Sequence, residues 1–177
     1  MKTIRMMSVM GILIGLLATS AQAQSVQTDY DRSFNFSNLK TFGFAVQRRS
    51  ATDPLAGDSL NDGRIRTAIE SQLIGSGYRT NGERPDFVIA YHVTTKNKFS
   101  VQDYGYGPPR WFGGRNISVN QYSEGTLLVD FIDAKTNQVI WRGRASGTLE
   151  MKGVDKKISK SVEKLVKQFI KDTTKKG

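Results

Sequence analysis

Catalytic chemistry would have to be assembled here from very few side chains. His92 is the lone histidine and cysteine is absent, so thiol catalysis, disulfides and cysteine-ligated metal are excluded together. Acyl transfer needs a nucleophile beside a base, and serines and aspartates are plentiful enough to complete a triad with His92 on paper. Yet no serine stands in a Gly-x-Ser-x-Gly elbow, and neither an H-E-x-x-H nor a calcium-loop spacing occurs. His92 lies between Tyr91 and Val93 in an alternating stretch, where it reads as an ordinary strand residue. Asp130 and Asp133 form the best carboxylate pair, but strict alternation puts residues three apart on opposite faces of a strand. Glycosidase acids must instead face each other across the sugar bond. Turn chemistry accounts for Asp133, and Asp130 suits a cross-strand pair with Arg142 or Arg144. The expectation is a protein that is not an enzyme and holds no cofactor or metal, with a hydrolase built on His92 and a distant acid as the outlying alternative.

Two other groups of residues suit binding. The stretch from Val101 to Gly114 reads as a loop in which Tyr104, Tyr106, Trp111 and Phe112 stand among glycines and prolines, with Arg110 inside it and Arg115 just beyond. Exposed aromatics beside arginines can stack on sugar rings or on a protein partner. Alternatively, Trp111 and Phe112 fold back over an open sheet edge or the uncovered face of a sheet. The second group is a row of lysines near the C-terminus. At 100° per residue, Lys156, Lys157, Lys160, Lys164, Lys167 and Lys171 fall within an arc of about 100°, opposite Ile158, Leu165 and Phe169. Such a row is either a solvated helix face or a surface for anions. A solvated face normally mixes signs for support one turn apart, and only Glu163 offers that here. Phospholipid headgroups, lipopolysaccharide phosphates and acidic cell-wall polymers would each relieve the mutual repulsion.

The elements that carry these groups are legible in the periodicity. Val26 to Asp31 and Lys40 to Val46 read as strands, with loop at Asp53 to Gly57. From Asp58 the period lengthens, and Ile65, Ala68, Ile69 and Leu73 share one side of a helix. Asp58 or Ser59 can cap its start, and Gly77 can take the left-handed turn at its end with Tyr78 folding back. Asp86 to Lys98 reads as a central strand with both faces fairly apolar. Ser123 to Ile132 and Gln138 to Leu149 form a hairpin about the turn Asp133-Ala134-Lys135-Thr136-Asn137. A last helix runs from about Asp155 to Lys171. Strands joined by hairpins, with two helices, imply an α+β fold in two layers: an antiparallel sheet of about five strands with both helices packed on one face.

Charge and the N-terminus bear on location. The chain of 177 residues carries a formal charge of +10. From Lys152 onward nine lysines face three acids, so most of that excess belongs to the terminal segment. Lys2 and Arg5 precede an apolar run from Met7 to Ala18, followed by Ala21-Gln22-Ala23, the pattern of a cleaved secretory signal. The apolar run falls well short of the ~20 residues that span a bilayer. Residues 1–23 are expected to be a secretory signal, and 24–177 one domain working in the periplasm or at the outer membrane. An exported protein rarely meets nucleic acid, so no nucleic-acid partner is expected.

The hairpin string Gly125-Thr126-Leu127-Leu128-Val129-Asp130-Phe131-Ile132-Asp133-Ala134-Lys135-Thr136-Asn137, with Val139-Ile140-Trp141-Arg142-Gly143 after it, resembles the bacterial domain-of-unknown-function family 4136. Asp29-Tyr30-Asp31, Phe36-Ser37, Lys40-Thr41-Phe42, Gly77-Tyr78 and Pro85-Asp86-Phe87 agree with it. The resemblance implies a small α+β domain in an envelope lipoprotein family and supplies no activity. The lipoprotein pattern departs here, because no cysteine follows Ala23, and a soluble periplasmic form is expected. The expected function is that of a non-enzymatic envelope protein. Its partners would be an envelope protein, an anionic lipid with peripheral membrane contact, or a cell-wall polymer. A structural or assembly module that pairs with an envelope protein is the other reading.

Overall fold

The computed structural model describes residues 25–46, 54, 57–103, 117–149 and 153–174. Its strands are β1 (Ser25–Tyr30), β2 (Thr41–Phe44), β3 (Arg79–Thr80), β4 (Phe87–Asp103), β5 (Ile117–Asp133) and β6 (Val139–Leu149), and its helices α1 (Ser59–Gly75) and α2 (Val154–Thr174). The strands form one sheet in the order β1-β6-β5-β4-β2-β3. Turn chemistry closes the β5–β6 hairpin. Asp133 accepts hydrogen bonds from the Thr136 amide at 2.9 Å and the Thr136 hydroxyl at 2.7 Å. Asn137 takes the left-handed conformation at φ 56°, which asparagine tolerates better than most residues.

The α+β class agrees with the sequence, but the sheet is mixed and six-stranded, not antiparallel with about five strands. β2 runs parallel to both β3 and β4, while β1–β6, β5–β6 and β4–β5 are antiparallel. The reason is the connection. A hairpin reverses the chain, whereas α1 carries it back across the sheet, so the strands after α1 re-enter in the direction of β2. β3 is two residues long, too short to leave a periodic trace. Asp86 locks this junction by accepting from the amides of Lys40 at 2.9 Å and Thr41 at 2.8 Å and from the Thr41 hydroxyl at 3.0 Å.

Both helices cover one face of the sheet. Ile65, Ile69 and Leu73 recur every fourth residue along α1 and are buried, the spacing that keeps one stripe on the core. Asp58 caps that helix by accepting from the Asn61 amide at 3.0 Å. Gly77, at φ 96°, lets the Tyr78 amide return to the Leu73 carbonyl at 3.1 Å. α2 contributes Val162, Leu165, Val166 and Phe169. The Phe169 ring lies 4.5 Å from Phe131 and 5.5 Å from Trp141 between centroids, in edge-to-face arrangements. Such rings contribute about 0.5–1.5 kcal/mol per pair beyond their area. Trp141 is fully buried, and its indole Nε1 donates to Asp172 on α2 at 3.2 Å.

The covered face tapers. At one end it holds Phe87, Phe131 and Trp141; along β5 it continues through Val129 and Leu127 to Gly125, and along β6 through Gly143 and Ala145 to Gly147. Gly125 and Gly147 are direct register partners. The large end is filled by rings, and the small end lies under the first turns of the two helices.

Candidate functional site

The residues singled out for catalysis do not converge. His92 is exposed on the uncovered face, opposite Leu128, with Arg144 next across the sheet. Asp130, nearest along that face, is committed: Arg142 grips it in a fork at 2.6 Å and 2.7 Å. This is the cross-strand pair read from the sequence, and the guanidinium covers a carboxylate that is only 7% exposed. Asp133 spends its carboxylate in the turn. Among the described residues no group of three or more His, Asp or Glu side chains could hold a metal ion.

The lysine row is where the periodicity puts it, with one exception. Lys156, Lys160, Lys164, Lys167 and Lys171 are all exposed along α2. Lys157, expected in the same row, is half-buried and turns inward to donate to the Thr148 carbonyl at 2.9 Å. It stands at the border of the arc, where its stem can cover apolar surface. Glu163, the acid within the row, bonds Lys167 at 2.6 Å. That hydrogen bond, with the charges of Lys167, Lys160 and Lys164, holds the Glu163 carboxyl below its usual range. The helix face therefore carries a net positive field.

Beside this row lies a feature that periodicity did not announce. A cavity of about 410 Å³ opens between the first turns of both helices and the small end of the sheet. Ile65 of α1, Val154 and Ile158 of α2, and Val93, Leu127 and Ala145 of the sheet form its apolar walls, and Gly125 and Gly147 lie on its floor. Its size is that of a small-molecule pocket. The physical cause is the taper: with glycine facing glycine, no side chain fills the gap under the helices. That signal was present in the residues, as the fall from Trp141 to Gly147 on every second position, but only pairing shows that the small residues of β5 and β6 coincide. Lys157 and Ser161 stand on the α2 side of the same cavity and Asp58 on the α1 side.

The aromatic stretch is only partly placed. Tyr104, Tyr106, Arg110, Trp111, Phe112 and Arg115 lie outside the described residues. Val101 to Asp103, read as the start of that loop, are strand instead. Among the described residues β6 ends opposite Ser123, and from Lys98↔Tyr122 to Asp103↔Ile117 β4 and β5 continue as a two-stranded ribbon. A salt bridge of Lys98 to Glu124 stands at its base. Alternation is too weak in Phe99 to Asp103 to declare a strand from sequence, yet the two backbones pair over that length.

Residues 26–169 match the family described as Domain of unknown function (DUF4136). The chain belongs to that family. No curated protein matches its sequence. Among solved structures, the DUF4136 chain is similar to a PDZ domain protein from Parabacteroides distasonis, with a TM-score of 0.57 and 16% identity. The match covers 81% of this chain and 35% of that one, so the DUF4136 chain spans about a third of that protein's length. It is also similar to PelC from Paraburkholderia phytofirmans, described as a dodecamer, with a TM-score of 0.45, 14% identity and coverage of 81% and 95%. The first of these likenesses concerns the fold alone. Within the DUF4136 domain, the charged helix face and the tapered cavity are neighbours on α2; His92, Asp130 and Arg142 belong to the opposite face of the sheet.

Proposed function

We propose that this DUF4136 protein is an exported, non-catalytic module of the bacterial envelope that docks on an anionic envelope component through the lysine face of α2. The observation that carries this reading is the run of five exposed lysines, from Lys156 to Lys171, on a helix whose other side is anchored in the core by Val162, Leu165 and Phe169. A rigid helix presents its charges at fixed spacing, so each cation near an anionic surface contributes about 1 kcal/mol, screened by salt over about 10 Å. The leader-like residues 1–23 support export. Sedimentation with phosphatidylglycerol vesicles and with purified cell wall, at low and high salt, tests the docking. Binding at low salt that is lost at high salt is expected, and no binding at low salt overturns it. Export is checked by the N-terminal residue of the periplasmic protein, expected to be Gln24.

One observation favours a second reading, a structural module that pairs with an envelope protein. β2 pairs with β4 only over Phe87 to Ile89, and among the described residues no other strand lies along that side of β4 out to Asp103. Long open edges are templates for strand addition. A single protein adduct on crosslinking in the native envelope supports this reading; adducts to lipid or wall alone refute it.

A further inference from the structure

We propose that the cavity between the starts of α1 and α2 takes the acyl chain of an anionic lipid, with the headgroup held by the adjoining lysines. The inference rests on the docking reading above and deepens it, from a charged surface to a site for one lipid molecule. Three features converge. The cavity, about 410 Å³, is walled by Ile65, Val93, Leu127 and Ile158, which recognise a chain by shape and by exclusion of water.

Three of its five lining hydroxyls, those of Ser123, Thr126 and Ser161, are already bonded within the protein. Ser123 donates to Asn97 at 2.9 Å, and the Thr126 and Ser146 hydroxyls bond each other at 2.9 Å. The mouth is electrically lopsided. On the α1 side, Asp58 carries a carboxylate that hydrogen bonds from Asn61 hold below its usual range. On the α2 side stands Lys157, whose Nζ also donates to the Thr148 carbonyl at 2.9 Å, and the exposed Lys160 follows about one turn further along the helix. An amphiphile entering chain-first meets apolar walls inside and cations on one rim, which fits an acyl chain with a negative headgroup and disfavours a positive one.

The experiment uses lauroyl-lysophosphatidylglycerol below its critical micelle concentration, titrated calorimetrically into the mature protein. The lysophosphatidylcholine of the same chain and glycerophosphoglycerol without a chain are the comparison arms. Binding of the first is expected, tenfold or more weaker binding of the second, and none of the third. Shortening the chain from lauroyl to octanoyl should weaken binding by a factor of about 4 per methylene. Ala145→Leu, which extends a wall residue into the cavity, and Val154→Asp, which places a charge at the half-buried mouth, should each reduce affinity at least tenfold. Val154 sits at the first position of α2, so its variant keeps the fold even where Ala145→Leu does not.

Affinity unchanged by chain length and by both variants overturns the lipid site. In that case salt-sensitive docking on phosphatidylglycerol vesicles still stands or falls separately. Equal affinity for the glycerol and choline headgroups, together with no vesicle docking, overturns both readings.

Discussion

Gly143→Ala tests how tightly the sheet and α2 are joined. A Cβ at Gly143 would lie 2.2 Å from Cη2 and 2.7 Å from Cζ3 of Trp141, and 2.7 Å from Cδ2 of Leu165. Ordinary contact begins near 3.4 Å, so the indole must retreat by about 1 Å. It has nowhere easy to go: its ring lies 5.0 Å from Phe131 and 5.5 Å from Phe169 between centroids. Retreat also stretches the Nε1–Asp172 hydrogen bond beyond its 3.2 Å. Overpacking costs about 1–3 kcal/mol and a weakened bond to a carboxylate adds about 1 kcal/mol, while replacing a strand glycine returns about 0.5–1 kcal/mol. The net expectation is a loss of about 1–3.5 kcal/mol.

The assay is urea unfolding followed by tryptophan fluorescence in a Trp111→Phe background, where Trp141 is the sole indole. Trp141→Phe removes the two indole atoms that clash and leaves only Leu165 Cδ2, so Gly143→Ala in that second background, followed by far-ultraviolet circular dichroism, should cost at least about 1 kcal/mol less. Equal costs in the two backgrounds, or no cost in the first, would show that the indole does not occupy the space over Gly143.

Three further outcomes follow from the same contacts. Asp86→Ala strands the Lys40 and Thr41 amides at the β2–β4 junction and should cost about 2 kcal/mol near neutral pH, read from urea midpoints. The bond from the Lys40 amide leads the causes that hold the folded Asp86 carboxyl below its usual range. Its stabilisation is therefore complete above the ordinary carboxylate pKa and fades as pH falls through the lower folded value; the gap between Asp86→Ala and the parent should close in that acid window. Arg142→Ala leaves Asp130 without its fork, and a double-mutant cycle with Asp130→Asn should give a coupling of about 1 kcal/mol, modest because the guanidinium is half exposed. Lys160→Glu with Lys164→Glu should abolish vesicle docking at low salt without shifting the urea midpoint by more than about 0.5 kcal/mol, since both side chains are exposed.

Local chemistry was legible wherever its partners lie within a few residues along the chain. Asp58 and Gly77 mark the ends of α1, Asp133 to Asn137 mark a turn, and the repeat of Val162, Leu165 and Phe169 places five lysines on the far side of α2, because capping, turn formation and helical period are settled between near neighbours. The Asp130–Arg142 pair was readable for a related reason: a tight hairpin converts sequence distance directly into register. Nothing comparable announced that β2 runs parallel to β4, since that direction depends on the path of α1 between them. Lys157 was expected among the exposed lysines, yet it turns to the Thr148 carbonyl, because a residue at the border of an arc is assigned by the surface beside it and not by its angle. The cavity is the fullest case. Gly125 and Gly147 are each unremarkable in their own strands; they open a space only when β5 and β6 align and two helix starts span the gap. Periodicity acts through bonds and short loops, whereas empty volume exists only between surfaces that folding has brought together.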